Sequence, residues 1–140
     1  MIMKKLQDSK YFTVYEMTHS NTADRLKIDN EPKDDEIINN LQYLMGRLDE
    51  IREGYGKPIY INSAYRCPKL NQAVGGVKSS YHQLGLAADL RFDPELKDYI
   101  IKNCKFDKLI EERSKSAVWI HLQVKRNRNE ESNKVIYLSV

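Results

Sequence analysis

The sequence predicts an α+β domain with a mainly antiparallel sheet of about four or five strands and helices packed on one side. Apolar residues recur every three or four positions in the first third of the chain, as on one face of a helix, whereas apolar and polar residues alternate after Gly56, as in strands. Helical segments come first and most strand candidates follow one another later, an order that favours an antiparallel sheet.

Two short helices are predicted near the N-terminus. Thr13 followed by Glu16 fits a capping box that opens the first helix. Asn21 is a candidate cap for a second helix that runs to Ile28. Pro32 is expected to end this helical region.

The longest helix is predicted over residues 34–53, with Gly54 as its end. Its apolar side chains are spaced to lie on one face, which we expect to pack in the core. These apolar residues are Ile37, Leu41, Leu44, Met45, Leu48 and Ile51.

The rest of the chain alternates strands with short helices. The predicted strands cover residues 58–62, 86–92, 106–112, 117–124 and 135–140. Helices are predicted at 67–74, before a pair of glycines, and at 93–102, where Pro94 stands at the first helical position. The charged, asparagine-rich segment 125–134 is expected to be a solvated hairpin loop.

Length and composition restrict the function classes. The chain has 140 residues, so we expect one domain over 1–140, mainly helical over 1–55, with the sheet and any metal site in 56–140. No apolar run approaches the roughly 18 residues of a membrane span, and a net charge of +3 is too small to indicate nucleic acid as a partner. Two cysteines, Cys67 and Cys104, exclude a disulfide-rich scaffold and cannot alone form a thiolate zinc site. We expect a monomer.

The segment 80–89, Ser-Tyr-His-Gln-Leu-Gly-Leu-Ala-Ala-Asp, carries the first candidate functional side chains. His82 lies on a predicted loop and Asp89 in the strand that follows. Small side chains between them let the backbone pack closely, so the two could converge. A Ser-His-Asp triad with Ser80 is the weaker interpretation, because Ser80 and His82 are too close in sequence to converge without an unusual turn.

The strand predicted at 117–124 carries the second candidate histidine. Alternation along it places His121 and Trp119 on the polar face, away from the apolar side chains. Two imidazoles and one carboxylate suit a catalytic Zn²⁺, which keeps a position for water and lowers the pKa of that water. Taken singly, each residue has a simpler structural explanation. A histidine in a strand is commonly a structural residue whose ring is hydrogen-bonded within the protein, and an aspartate at the end of a strand commonly belongs to a turn or cap.

The pattern S-x-H-x-x-G-x-A-x-D, followed by W-[IV]-H about thirty residues later, resembles the zinc D-Ala-D-Ala carboxypeptidases and dipeptidases, metallopeptidase family fifteen. The segments 61–76 and 106–112 are similar to the family's S-G-Y-R-S-P-x-x-N and F-D-Q-L-I-x-E patterns, and 12–30 looks like the opening region of its small, phage-type branch. The resemblance spans most of the chain and implies the hedgehog/D-Ala-D-Ala-peptidase-like fold.

The resemblance also implies residue roles. It implies that His82, Asp89 and His121 hold zinc. Arg66 matches the arginine that faces the substrate's carboxylate or the developing oxyanion, a task that suits a guanidinium because it stays charged and binds bidentately. Considered alone, Arg66 is better explained by a surface salt bridge.

Three further residues are predicted to bind substrate. Ser80 matches a position that holds the substrate backbone or amine, with a loop cap as the alternative. Tyr65 could line the cleft or simply pack. Trp119 is expected beside the metal ligands on the polar face of its strand.

The general base is expected at Glu112. Several relatives carry an acidic residue three positions before the last histidine ligand, but Val118 stands there in this chain. Glu112 matches the glutamate of F-D-Q-L-I-x-E and could approach the site from a neighbouring antiparallel strand. Glu111 is the second candidate, although a regular strand directs it to the opposite face.

The expected function is therefore a zinc-dependent, endolysin-like peptidase that hydrolyses a peptide bond in peptidoglycan stem peptides, as a D-Ala-D-Ala carboxypeptidase or a related endopeptidase. The alternative is a catalytically inactive, zinc-stabilised binding module for the cell wall or a protein partner, which Val118 favours. An amidase or nuclease with the same metal is a third interpretation. No secretory signal is recognisable. We therefore expect synthesis in the cytoplasm and action at the wall after phage lysis or non-classical export.

Overall fold

The computed structural model describes residues 5–140 as an α+β fold, which confirms the predicted class. The helices of this part of the chain are α1 (Val14–Thr18), α2 (Asn21–Leu26), α3 (Asp35–Tyr55), α4 (Pro68–Ala73) and α5 (Pro94–Asn103). The strands are β1 (Ile61–Ser63), β2 (Ala87–Arg91), β3 (Lys108–Arg113), β4 (Val118–Gln123) and β5 (Lys134–Ser139).

The strands form one five-stranded sheet in the order β1-β2-β4-β3-β5. All neighbouring pairs are antiparallel except β3 and β5, which are parallel. One face of the sheet packs with the helices around a continuous hydrophobic core. Among the fully buried core side chains are Met17, Leu44, Leu48, Leu90, Leu109 and Ile120. No helix among residues 5–140 is long and apolar enough to cross a membrane.

The caps of the short N-terminal helices depend on local hydrogen bonds. Thr13 and Glu16 form the predicted capping box, in which each side chain accepts from the other residue's backbone N–H. The prediction for α2 was wrong by one residue, because Ser20 is its cap and accepts from the N–H of Ala23. This helix ends before Lys27, which adopts a left-handed conformation with φ of 57°.

Helix α3 is slightly longer than predicted. It ends at Tyr55, and Gly56 at φ of 78° provides the left-handed cap, so Gly54 lies within the last turn and is not the stop. The predicted apolar face is buried except at Ile37, which is only half-buried while its neighbour Ile38 is buried.

The segment 125–134 is not the predicted hairpin loop. It carries the chain from β4 past β3 to the outer edge of the sheet, and includes a turn of 3₁₀ helix. The N–H of Lys134 donates to the carbonyl of Asp107, which starts β5 beside β3. Glu131 is buried in a bidentate ion pair with Arg47 of α3, at 2.9 and 3.0 Å. Glu131 joins the segment to the core, while residues 126–130 and 132–134 are exposed, so the predicted solvent exposure is confirmed for most of the segment.

Candidate metal centre

Two neighbouring strands and one turn bring His82, Asp89 and His121 together. Asp89 on β2 is the register partner of His121 on β4, and opposite residues of an antiparallel pair project from the same face. His82 lies in the turn before β2. One possible ligand atom from each residue lies within 4.8 Å of the other two. We call these three residues the His-Asp-His trio.

The turn that carries His82 is held on both sides. The backbone N–H of His82 donates to Ser80 Oγ at 3.1 Å, and Gly85 closes the turn at φ of 77°, a conformation that favours glycine. The ring donates its Nδ1–H to the carbonyl oxygen of Ala64 at 2.7 Å. A carbonyl can only accept, so Nδ1 carries the proton and Nε2 faces Asp89 Oδ1, 3.2 Å away.

The ring of His121 has the complementary arrangement. Its Nδ1 lies 3.3 Å from Asp89 Oδ1, and its Nε2 lies 3.2 Å from Gln123 Oε1. When both rings of the trio are neutral, two nitrogen lone pairs therefore point toward one carboxylate oxygen. Three acceptors that converge repel one another unless a proton or a metal cation lies between them, and two imidazole nitrogens with one carboxylate are a donor set that fits a divalent metal such as zinc.

The electrostatics of the trio also favour positive charge. Burial alone would raise the pKa of Asp89, but hydrogen bonds from His121 and His82 hold it well below its usual range. Burial alone would lower the pKa of His121, but the hydrogen bond and charge of Asp89 raise it above its ordinary value.

Glu112 lies beside the trio on the same face of the sheet. It is the register partner of Trp119, which is two residues from His121, and a long side chain can reach a diagonal neighbour in a sheet. Burial raises the pKa of Glu112, and the charge of Asp89 raises it further. Glu111 lies on the opposite face, where it forms ion pairs with Lys97 at 2.9 Å and Arg113 at 3.1 Å.

Arg66 brings a positive charge to the trio. Its backbone N–H donates to the carbonyl of His82 at 3.2 Å. Burial lowers the pKa of its guanidinium, while the charges of Asp89 and Glu112 act in the opposite direction. The buried Nε atom has no hydrogen-bond partner among residues 5–140. A bound ligand could accept a hydrogen bond from this buried, unpaired N–H group.

A family model described as Peptidase M15 matches residues 10–123. The chain belongs to the peptidase M15 family. This membership implies peptidase activity, and the trio of this M15 chain could hold the metal of a metallopeptidase. A search of curated proteins found no match.

The other predicted substrate-binding residues of this M15 chain lie in different surroundings. Ser80 is buried and accepts from His82, as a loop cap does. Tyr65 packs in the hydrophobic core, where burial raises the pKa of its hydroxyl. Trp119 is half-buried on the face of the trio, between its register partners Arg91 and Glu112.

Two residues that contribute to the site were not predicted. Gln123 contacts His121 directly, and Asp107 contacts Gln123. Gln123 could have been identified, because it shares the polar face of β4 with His121 at a spacing of two. Asp107 precedes β3 and is the aspartate of the segment similar to F-D-Q-L-I-x-E, but that pattern does not indicate a contact with Gln123.

Proposed function

We propose that this M15 member is a zinc-dependent peptidase that hydrolyses a peptide bond in the stem peptides of peptidoglycan. The observation that carries the proposal is the convergence of His82, Asp89 and His121 with two charged groups of opposite sign, Glu112 and Arg66. The resemblance of 61–76 and 80–89 to D-Ala-D-Ala carboxypeptidases and dipeptidases supports the substrate class.

The residues that would hold the metal are His82 through Nε2, His121 through Nδ1, and Asp89 through its carboxylate. A zinc ion held there would lower the pKa of a water toward neutrality and polarise the scissile carbonyl. The backbone carbonyl of Ala64 keeps the His82 ring in the tautomer that this ligation requires.

Glu112 is the group that moves the proton. It takes a proton from the attacking water as the new C–O bond forms, and it donates that proton to the amine nitrogen as the C–N bond breaks. The raised pKa suits both steps, because a carboxyl group whose pKa is closer to neutrality is a better base and a better acid at neutral pH.

Arg66 is the group that stabilises negative charge. Burial removes water from its guanidinium and strengthens its interaction with an anion. The Nε–H that lacks a partner among residues 5–140 is available to the carbonyl oxygen as it becomes an oxyanion, or to a substrate carboxylate.

Digestion of purified peptidoglycan tests this function. The zinc-loaded protein should release new amino groups, a chelator should stop the release, and added zinc should restore it. Mass spectrometry of the fragments then identifies the bond. A folded, zinc-loaded protein that binds walls and releases no amino group would contradict hydrolysis and favour the binding module that Val118 suggests. Action at the wall after release from the cytoplasm, as in phage lysis, is part of the proposal.

A further inference from the structure

The side-chain amide of Gln123 has one possible orientation, because its two ends face different partners. One end lies 2.7 Å from Asp107 Oδ2, and the other lies 3.2 Å from His121 Nε2. A carboxylate only accepts hydrogen bonds, so the end toward Asp107 is the NH₂ group. The carbonyl oxygen of the amide therefore faces His121, whose Nε2 must be the donor.

The carboxylate of Asp107 is fixed in turn. It is buried, with 3% of the residue exposed, and its Oδ1 accepts from the backbone N–H of Ser132 at 3.2 Å. A backbone N–H cannot exchange its role with an acceptor. The direction of every hydrogen bond from Ser132 through Asp107 and Gln123 to His121 is therefore determined.

We propose that Asp107 is a positioning residue, which acts through Gln123 to keep the proton of His121 on Nε2 and leave Nδ1 free for the metal. This inference rests on the proposed metal site. Each histidine of the trio then has one carbonyl oxygen that accepts from its ring and sets its tautomer. The backbone carbonyl of Ala64 does this for His82, and the side-chain carbonyl of Gln123 does it for His121. Outer partners of this kind are typically worth about 10–100-fold in metal affinity.

The substitution Asp107→Asn should reverse the chain of hydrogen bonds. The asparagine keeps its oxygen toward the N–H of Ser132, so its NH₂ group faces Gln123 and forces that amide to turn over. An NH₂ group then faces His121 Nε2, which favours a proton on Nδ1, where the metal should bind. The additional substitution Gln123→Glu provides two carboxylate oxygens. One accepts from the NH₂ group at position 107 and the other from Nε2–H of His121, so the proton should return to Nε2.

Zinc affinity, measured by competition with a chromogenic chelator, tests the inference in the full-length protein. We expect Asp107→Asn to weaken zinc binding about 10–100-fold, and Asp107→Asn/Gln123→Glu to recover most of the loss. Asp98→Asn, the same change at an exposed position of α5, should bind zinc like the wild type. In the zinc-loaded wild type, nitrogen-15 NMR should show a proton on His121 Nε2.

Three results would overturn the inference: unchanged affinity in Asp107→Asn, a double variant no better than the single one, or a proton-free Nε2 in the wild type. These three results overturn the inference alone when the folded wild type binds zinc. A folded wild type that binds no zinc contradicts the proposed function itself, so the two failures are distinguishable. If Asp107→Asn does not fold, Gln123→Met is measured in its place, because it keeps the hydrogen bonds between Asp107 and Ser132. It should bind zinc about tenfold more weakly, and equal affinity would again overturn the inference.

Discussion

His121 on β4 lies directly opposite Asp89 on β2, and its Nδ1 atom is 3.3 Å from a carboxylate oxygen of Asp89. This pairing depends on strand register. A slip of one residue would turn His121 toward the core and place an apolar neighbour in the site. The register of β2 and β4, which the buried side chains of the other face hold, therefore determines whether a metal site exists.

The first prediction concerns the pH dependence of the metal-free protein. Because the pKa of His121 is raised above 6.5, its contribution to the free energy of unfolding is complete below pH 6.5 and is lost as the pH rises through the folded-state pKa. The pKa of Asp89 is lowered, so its contribution is present above pH 3.8 and is lost in stronger acid.

Urea unfolding of the chelator-treated protein should therefore show maximal stability between these limits and a decline on the alkaline side. The variant His121→Asn should lack the alkaline decline. A wild-type stability that rises with pH above 6.5 would contradict the assignment.

The second prediction separates the two neighbouring glutamates. Glu112→Gln should lower kcat by about 10²–10⁴-fold while zinc binding is kept, because the base is lost and the ligands are not. Stability should not fall, since folding disfavours the ionised form of Glu112, as its raised pKa shows.

Glu111→Gln is the matched control on the opposite face. It removes the charge that pairs with Lys97 and Arg113, so it should lower the free energy of unfolding by about 1–2 kcal/mol and keep activity. Loss of turnover in Glu111→Gln with normal turnover in Glu112→Gln would reverse the assignment of the base.

The third prediction concerns the turn that carries His82. Gly85 has φ of 77°, and a Cβ at this position would lie 3.0 Å from the carbonyl oxygen of Ile37. Gly85→Ala should therefore lower the free energy of unfolding by about 1–3 kcal/mol and weaken zinc binding.

Gly46 in α3 offers a control for the same substitution. A Cβ there would meet no heavy atom of residues 5–140 within 4 Å, so Gly46→Ala should raise the free energy of unfolding by about 0.5–1 kcal/mol. Equal effects of Gly85→Ala and Gly46→Ala in thermal or urea unfolding would show that the turn does not need glycine.

The fourth prediction concerns the buried ion pair between Arg47 and Glu131. Arg47→Met should lower the free energy of unfolding by about 3–5 kcal/mol, because it leaves a buried carboxylate without its partner. The double variant Arg47→Met/Glu131→Leu should recover much of this loss. Additive losses in a double-mutant cycle would show that the two side chains do not depend on each other.

Local patterns and motif spacing predicted much of this protein. The capping box of α1 and the alternation along β4 are properties of a few neighbouring residues. The structure has both, since Ile120 and Leu122 lie in the core while His121 contacts Asp89 and Gln123 on the other face. His82, Asp89 and His121 could be grouped in advance because their residue types suit a metal and the resemblance to the zinc peptidases implied a common ligand set.

The misplaced features depend on contacts between distant residues. The position of β5 follows from bonds that join Asp107 to Ser132 and Lys134, and no local pattern of 125–134 reveals them. The end of α3 at Gly56 depends on which of two nearby glycines adopts the left-handed conformation. The role of Asp107 becomes recognisable only when the fold places it against Gln123, behind His121.

The most direct test of the account is zinc titration of the chelator-treated protein by isothermal calorimetry, with His82→Ala, Asp89→Ala and His121→Ala measured in parallel. We expect one tight zinc site per chain in the wild type and a large loss of affinity in each variant, because each removes one ligand of the trio. Wild-type affinity in all three variants, or no zinc binding by the folded wild type, would contradict it.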